Sequence, residues 1–194
     1  MKPRSVAKAI ALGGTAVAVG LISSTPEGRK RDAGRFTGIN VGRGPAADRV
    51  YSGITELGSL WAAGAAAATL ALFGKRRAAA RAFLASSVAW AGGQALKRLF
   101  LRPRPYEADP DGASLRIGKP NGSSWPSTHP AVLTSFVTVA GRELGLSGPA
   151  RGALTALSNA VGISRVYLGV HYPSDVTSGV FLGRAVAEVF SSGR

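Results

Sequence analysis

Apolar and polar positions in this chain come in blocks rather than in strict alternation. An uncharged run extends from Ala9 to Pro26, and a second, Leu57 to Gly74, holds 18 residues rich in Ala and Leu. About 17–25 apolar residues cross a bilayer core as a helix, so the second run has spanning length. Ala82 to Leu96 follows and reaches spanning length with its flanks. Pro130–Gly141, continuing to about Leu146, then Gly152–Ser164 and Val176–Phe190 complete the set. None shows the period-two pattern of a half-buried strand, and no repeat of fixed period appears. The pattern predicts six helical segments and an all-α, six-helix, transmembrane bundle. Two features temper the membrane reading. The last three runs are shorter than 18 uninterrupted apolar residues, and Arg184 and Glu188 sit one turn apart inside the final one. A soluble helical bundle is the alternative.

The blocks between these runs differ in kind. Residues 27–53 carry Arg29, Lys30, Arg31, Arg35, Arg43 and Arg49 without periodicity, and read as a loop, either solvated or a basic surface for anionic headgroups. Lys75, Arg76, Arg77 and Arg81 make a tight basic loop, which favours a cytoplasmic N-terminus by the positive-inside rule. Phe100–Trp125 is rich in Pro, Gly and Asp. Within it Asp109-Pro-Asp-Gly112 reads as a turn, and it lacks the further ligands of a calcium loop. Lys2, Arg4 and Lys8 precede the first apolar run. Residues 1–25 therefore read as a first membrane helix, with a cleaved signal peptide as the other possibility.

Composition sharpens this picture. The 194 residues suffice for one domain with a sizeable core, and the absence of cysteine excludes disulfides and thiolate metal sites. The formal charge is +14, which calls for anionic partners. Mean hydropathy is nonetheless +0.13. Basic residues lie between Ala-rich apolar runs, not among aromatics, which favours a membrane protein with charged loops over a nucleic-acid-binding module.

Three polar clusters sit at the ends of apolar runs. The first is Lys97-Arg-Leu-Phe-Leu-Arg-Pro-Arg-Pro105, where Lys97 ends a helix and Pro103 and Pro105 prevent its continuation, so that Arg104 can turn back. Taken alone it is a basic helix C-terminus that complements the dipole. The second is Trp125-Pro-Ser-Thr-His-Pro130. Its hydroxyls suit a helix N-cap, and a helix start also binds phosphate. The third, Ser164 to Asp175, holds Arg165, His171 and Asp175. A histidine that attacks phosphorus is oriented through its second nitrogen, commonly by a carboxylate, and a turn at Pro173-Ser174 can bring Asp175 back to the ring. Asp175 also suits a plain first-turn acid. His129 and His171 are the chain's two histidines, and each sits in a Pro/Ser-rich turn before an apolar run.

Lys97-x6-Arg104-Pro105, Pro126-Ser-x-His129 and Ser164-Arg165-x5-His171-x3-Asp175 together resemble the three-part signature of the type 2 phosphatidic acid phosphatase family, whose superfamily includes soluble acid phosphatases and vanadium haloperoxidases. Thr128 departs from the glycine common at its position, which leaves the local backbone shape open. The resemblance implies a helical phosphatase core over residues 54–194, preceded by an apolar helix and basic loop over 1–53. It implies that His171 attacks phosphorus, that Asp175 holds the imidazole and that His129 protonates the leaving oxygen. Lys97, Arg104, Arg165, Ser127 and Thr128 would bind the phosphoryl group, with no metal or other cofactor. The implied substrate is a lipid phosphate or diphosphate: phosphatidic acid, phosphatidylglycerol phosphate, a prenyl (di)phosphate or a lipid-linked sugar phosphate. The implied setting is the cell membrane, multi-pass, in contact with membrane lipids and not nucleic acid, with the site on the extracytoplasmic face. Competing readings are a soluble secreted acid phosphatase, a vanadium-dependent haloperoxidase, and a non-catalytic protein that binds anionic lipid.

Overall fold

The computed structural model describes residues 3–190. Nine helices occur among them: α1 (Pro3–Ser24), α2 (Pro26–Ile39), α3 (Pro45–Glu56), α4 (Leu60–Leu72), α5 (Arg76–Leu99), α6 (Pro105–Ala108), α7 (Thr128–Glu143), α8 (Gly148–Tyr167) and α9 (Pro173–Val189). Each of the six apolar runs is a helix: α1, α4, α5, α7, α8 and α9. The fold is all-α, as expected.

The N-terminal quarter corrects the sequence reading. Residues 27–53 are not an aperiodic loop but form α2 and most of α3, and α3 runs through residue 53, where the sequence pattern divides the chain. Both helices begin with proline in the first turn, which suits a helix start because that N–H has no intrahelical acceptor. Thr25 caps α2 by accepting from Gly28 N at 3.1 Å. The run Leu57–Gly74 also differs. Ser59 caps α4 through Ala62 N, and the chain turns at Gly74 with φ +75°, leaving a helix of 13 residues. Among the described residues only α1, with 22, is both long and apolar enough by itself to cross a membrane.

α7 and α9 form the centre. α7 packs against α5, α9, α8 and α4, while α9 packs against α1, α7, α8 and α5. The core is built from small side chains: Ala63, Ala67, Ala79, Ala82, Ala85, Ala89 and Ala131 meet Val132, Val139 and Val161. Large apolar side chains face outward instead, with Trp61, Leu72, Phe73, Leu99 and Leu101 each more than three-quarters exposed. Alanine predominates where the helices meet, although Trp125, Tyr167 and Leu168 are also fully buried, and this together with the exposed large apolar side chains matches close helix packing in an apolar medium.

α1 is fixed to the centre near its C-terminal end. The Trp125 indole donates to Ser178 Oγ at 2.8 Å, Ser178 Oγ donates to Ala16 O at 3.0 Å, and the Trp125 ring lies over Gly20. A Cβ at Gly20 would stand 2.5 Å from that ring, whereas Gly14 on the same helix has open space. The ring is held on its other side by Phe100 at 4.5 Å between centroids. Gly20→Ala is therefore expected to destabilise the protein by about 1–3 kcal/mol. Gly14→Ala should stabilise it by up to about 1 kcal/mol through helix propensity. Thermal unfolding of the two variants in detergent, side by side, checks the pair. Equal melting temperatures would show that α1 does not dock as described.

Candidate active site

All three polar clusters meet at one end of the bundle, because the helices that carry them run alternately. α5 and α8 end there, and α7 and α9 begin there. Lys97 lies in the last turn of α5 and Arg165 in the last turn of α8, while Ser127 is the N-cap of α7 and Asp175 lies in the first turn of α9. Lys97, Arg104, Ser127, Thr128, Arg165, His171 and Asp175 are all buried. Every residue singled out from the sequence is thus brought to this end.

Three like charges this close need acceptors, and the 121–124 loop supplies them. Lys97 Nζ donates to Ser123 O at 2.6 Å and Ser124 O at 3.3 Å. Arg104 donates through Nε to Gly122 O at 3.0 Å, through Nη2 to Asn121 O and Ser123 O, both at 3.3 Å, and through Nη1 to Val170 O at 2.9 Å. Pro105 opens α6, and Glu107 reaches back to accept from Arg104 N at 2.8 Å, half of a capping box that fixes the arginine backbone. Arg165 Nη1 donates to Thr55 Oγ1 at 3.1 Å. Arg165 Nε and Ser127 Oγ are buried without a hydrogen-bond partner within the described residues, which is costly unless an anion accepts from them.

His171 lies in the turn between α8 and α9. Burial, and then the charges of Lys97, Arg165 and Arg104, hold its imidazole well below the ordinary pKa, so it is neutral at neutral pH. Asp175 stands at the third position of α9, with Oδ2 accepting from Tyr172 N at 2.8 Å. That backward reach aims the carboxylate at the preceding turn, and Oδ2 comes to 3.5 Å from His171 Nδ1. Nε2 is left as the nitrogen turned from the carboxylate. Ser127 N donates to Asp175 O at 3.0 Å, and α9 passes so close to this turn that a Cβ at Gly179 would lie 2.2 Å from Ser127 O. These contacts lock the second cluster to the third.

His129, one residue into α7, is only partly buried. It lines a groove of about 510 Å³ with Gly58, Leu60, Trp61, Phe83 and Trp90. The site thus has a cationic interior and an apolar flank that meet at His129.

Sequence reasoning missed the other partner of Asp175. Arg102 Nη1 donates to Asp175 Oδ1 at 2.7 Å, and its Nη2 to Asp32 Oδ2 at 2.7 Å. Burial works against the Arg102 charge, but Asp175 and Asp32 outweigh it and raise its pKa. Arg102 was visible in the first cluster, two residues before Arg104. Asp32 gave no signal because it lies in the segment read as a loop, and Thr55 none because it lies between that segment and the run beginning at Leu57. With a guanidinium bound to both Asp32 and Asp175, these carboxylates are not a free ligand set for a metal.

Residues 78–193 match the PAP2 superfamily, and the chain belongs to it. It is 36% identical over 115 residues to decaprenylphosphoryl-5-phosphoribose phosphatase of Mycobacterium tuberculosis, which covers 59% of this chain and 58% of that protein. It is 33% identical over 131 residues to the protein of the same name from Mycolicibacterium smegmatis, covering 68% of each. The match thus spans less than two thirds of the M. tuberculosis relative. The fold is that of a transmembrane PAP2 type phosphatidylglycerolphosphate phosphatase from Bacillus subtilis, with a TM-score of 0.73 at 22% identity over 94% of each chain. Aquifex aeolicus LpxE superposes with a TM-score of 0.72 at 26% identity, over 80% of this chain and 91% of its own. Together with apolar α1, this points to a membrane protein.

A cage of buried cations should bind a small oxyanion. Orthophosphate is expected to raise the melting temperature of the detergent-solubilised protein, with about 2.7 kcal/mol of stabilisation at a hundredfold excess over its Kd. Arg165→Ala should remove most of that shift. A wild-type protein indifferent to phosphate would contradict the cage.

Proposed function

We propose that this protein is a metal-independent membrane phosphatase that hydrolyses a phosphate monoester or diphosphate of a lipid through a phosphohistidine. The observation that carries this reading is the junction at His129 between the cationic cage and the apolar groove. The charge of the cage suits a phosphate on one side of that junction, and the apolar groove suits a hydrocarbon chain on the other. Names borne by the mycobacterial relatives favour a lipid-linked sugar phosphate among the candidate substrates.

The chemistry follows from the positions. The phosphoryl oxygens lie among Lys97, Arg104 and Arg165, with the Ser127 hydroxyl and the Thr128 N–H at the start of α7 completing the cradle. His171 Nε2 attacks phosphorus, and the bond to the leaving oxygen breaks as His129 delivers a proton to it. Asp175 faces Nδ1 and stabilises the positive charge that the imidazole acquires. His129, now neutral, takes a proton from water, the hydroxide attacks the phosphorus, the P–N bond breaks, and phosphate leaves. Fixed cations stabilise the charge spread over the equatorial oxygens at both stages, the task a metal ion performs in other phosphatases.

The outward-facing large apolar residues support a multi-pass arrangement, with the catalytic end at the headgroup level of the extracytoplasmic face. Helices shorter than a full span, α4 among them, fit a site set slightly inside the membrane surface.

Phosphate release from a panel of lipid phosphates in detergent should persist in EDTA and fall by at least about a thousandfold in His171→Ala. Release that required added metal, or that survived the substitution, would sink the proposal. The profile of kcat/KM against pH should be a bell. On the acid side activity falls as His171 gains a proton, below the ordinary imidazole range because its pKa is depressed. On the alkaline side it falls as His129 loses the proton it must donate, and because burial and then the charges of Arg165, Lys97 and Arg104 lower its pKa as well, this limb too lies below the ordinary imidazole range and the optimum is acidic. A single sigmoid would rule out the two-histidine scheme.

A further inference from the structure

Asp32 lies on α2, far from the three clusters in sequence and outside residues 78–193, which match the superfamily. It is 4% exposed. Its carboxylate does two things. It accepts from Ser174 N through Oδ1 at 3.1 Å and also accepts from Ser174 Oγ, so it caps the first turn of α9 from another helix. Through Oδ2 it accepts from Arg102 Nη2 at 2.7 Å.

The sharing of Arg102 decides what Asp175 can do. A guanidinium facing a single carboxylate tends to take both oxygens in a fork. Here Arg102 gives Nη2 to Asp32, and its Nη1 goes to Asp175 Oδ1 and to Ser174 Oγ, each at 2.7 Å. Asp175 Oδ2 is therefore left to accept from Tyr172 N and to face His171 Nδ1, which stands 3.5 Å away without a hydrogen bond of its own within the described residues. The guanidinium also lies over the Tyr172 ring, 4.3 Å from its centroid, which favours this grip over others.

Charge gives the same answer as geometry. Two carboxylates against one guanidinium leave a net negative charge behind His171. Without Asp32, Arg102 and Asp175 would form a neutral pair. The imidazole would then face only the cations Lys97 on α5, Arg104 in the following loop and Arg165 on α8, together with His129 on α7. Other charged or titratable groups near Arg102 and Asp32 include Asp175, Tyr172 and Asp109, and Arg29 of α2, which lines one cavity with Arg102, Asp109 and Tyr172.

We propose that Asp32 is a positioning residue of this site: through Arg102 and Ser174 it holds the Asp175 carboxylate against His171 and preserves its negative charge there. The inference rests on the phosphohistidine reading given above. Asp32 touches no reacting atom, so its effect should fall on the chemical step and not on substrate binding.

Asp32→Asn keeps an acceptor for Ser174 N and removes the charge, while Asp32→Glu keeps the charge. With full-length protein in detergent and a lipid phosphate that the wild type hydrolyses, Asp32→Asn should lower kcat about tenfold with KM within about twofold, as when the partner that orients a ligating histidine is lost. The acid limb of kcat/KM should move to lower pH, because the lost negative charge makes protonation of His171 harder. Asp32→Glu should recover most of kcat and return the limb toward the wild-type position. Wild-type kcat and an unmoved limb in Asp32→Asn would overturn the proposal. So would a loss of activity that only tracks the loss of monodisperse protein on gel filtration, with the limb unchanged. His171→Ala in the same assay separates the two claims. Its inactivity beside a wild-type-like Asp32→Asn refutes the role of Asp32 alone, whereas its continued activity refutes the phosphohistidine reading beneath it.

Discussion

Three cations are buried within reach of one histidine, and most of what surrounds them is what that burial requires. Ions of like sign, taken out of water, repel one another in a medium that screens poorly, and each loses its hydration. Backbone carbonyls from 121 to 124 and from Val170 replace part of that hydration. A loop rather than a helix must supply them, since helical carbonyls are already taken. The Pro- and Gly-rich composition of residues 100–125 follows from this need. The loop is strapped to the end of α5 by Ser124 N to Arg102 O at 2.9 Å and by Arg102 N to Ser123 Oγ at 3.1 Å, so the acceptors keep their places.

The same charges set the character of the two histidines. A neutral imidazole among cations is a nucleophile held ready. A phosphoryl group entering the cage would bring the negative charge that the cations lack. Binding and activation are therefore one electrostatic event. The negative charge supplied from behind by Asp32 and Asp175 is aimed at Nδ1, where it counts once phosphorus has been attacked. Front and rear of the imidazole thus see opposite fields, and the ring lies along the gradient between them.

How much of this was legible in the sequence depended on the range of the interaction. The six apolar helices showed themselves because their apolar runs are local. The residues at the catalytic end showed themselves because cations, prolines and histidines recur at run ends in a fixed order. α2 and α3 were hidden because they lack a long apolar run, and their stability comes from partners far along the chain. Asn40 binds Ser114 O and Tyr167 O, Asp48 accepts from the Tyr167 hydroxyl, and Thr55 accepts from Arg165. Nothing near residues 40, 48 or 55 announces these contacts. Arg102 was hidden differently. It stood in plain view, but the carboxylate that shares it lies 70 residues away.

The first and last helices lie side by side, and this adjacency governs when the molecule can become whole. Ser178 and Ala16 are joined across a sequence separation of 162. A chain made from its N-terminus must hold α1 without this neighbour until α9 has been made. Closing so long a loop is entropically costly, and contacts of this separation come late in folding. The indole that seats α1 also belongs to the turn carrying Ser127 and His129. The bundle and its chemistry thus reach their final form together, once α9 has been made, and a partly made chain holds cations without yet holding a site.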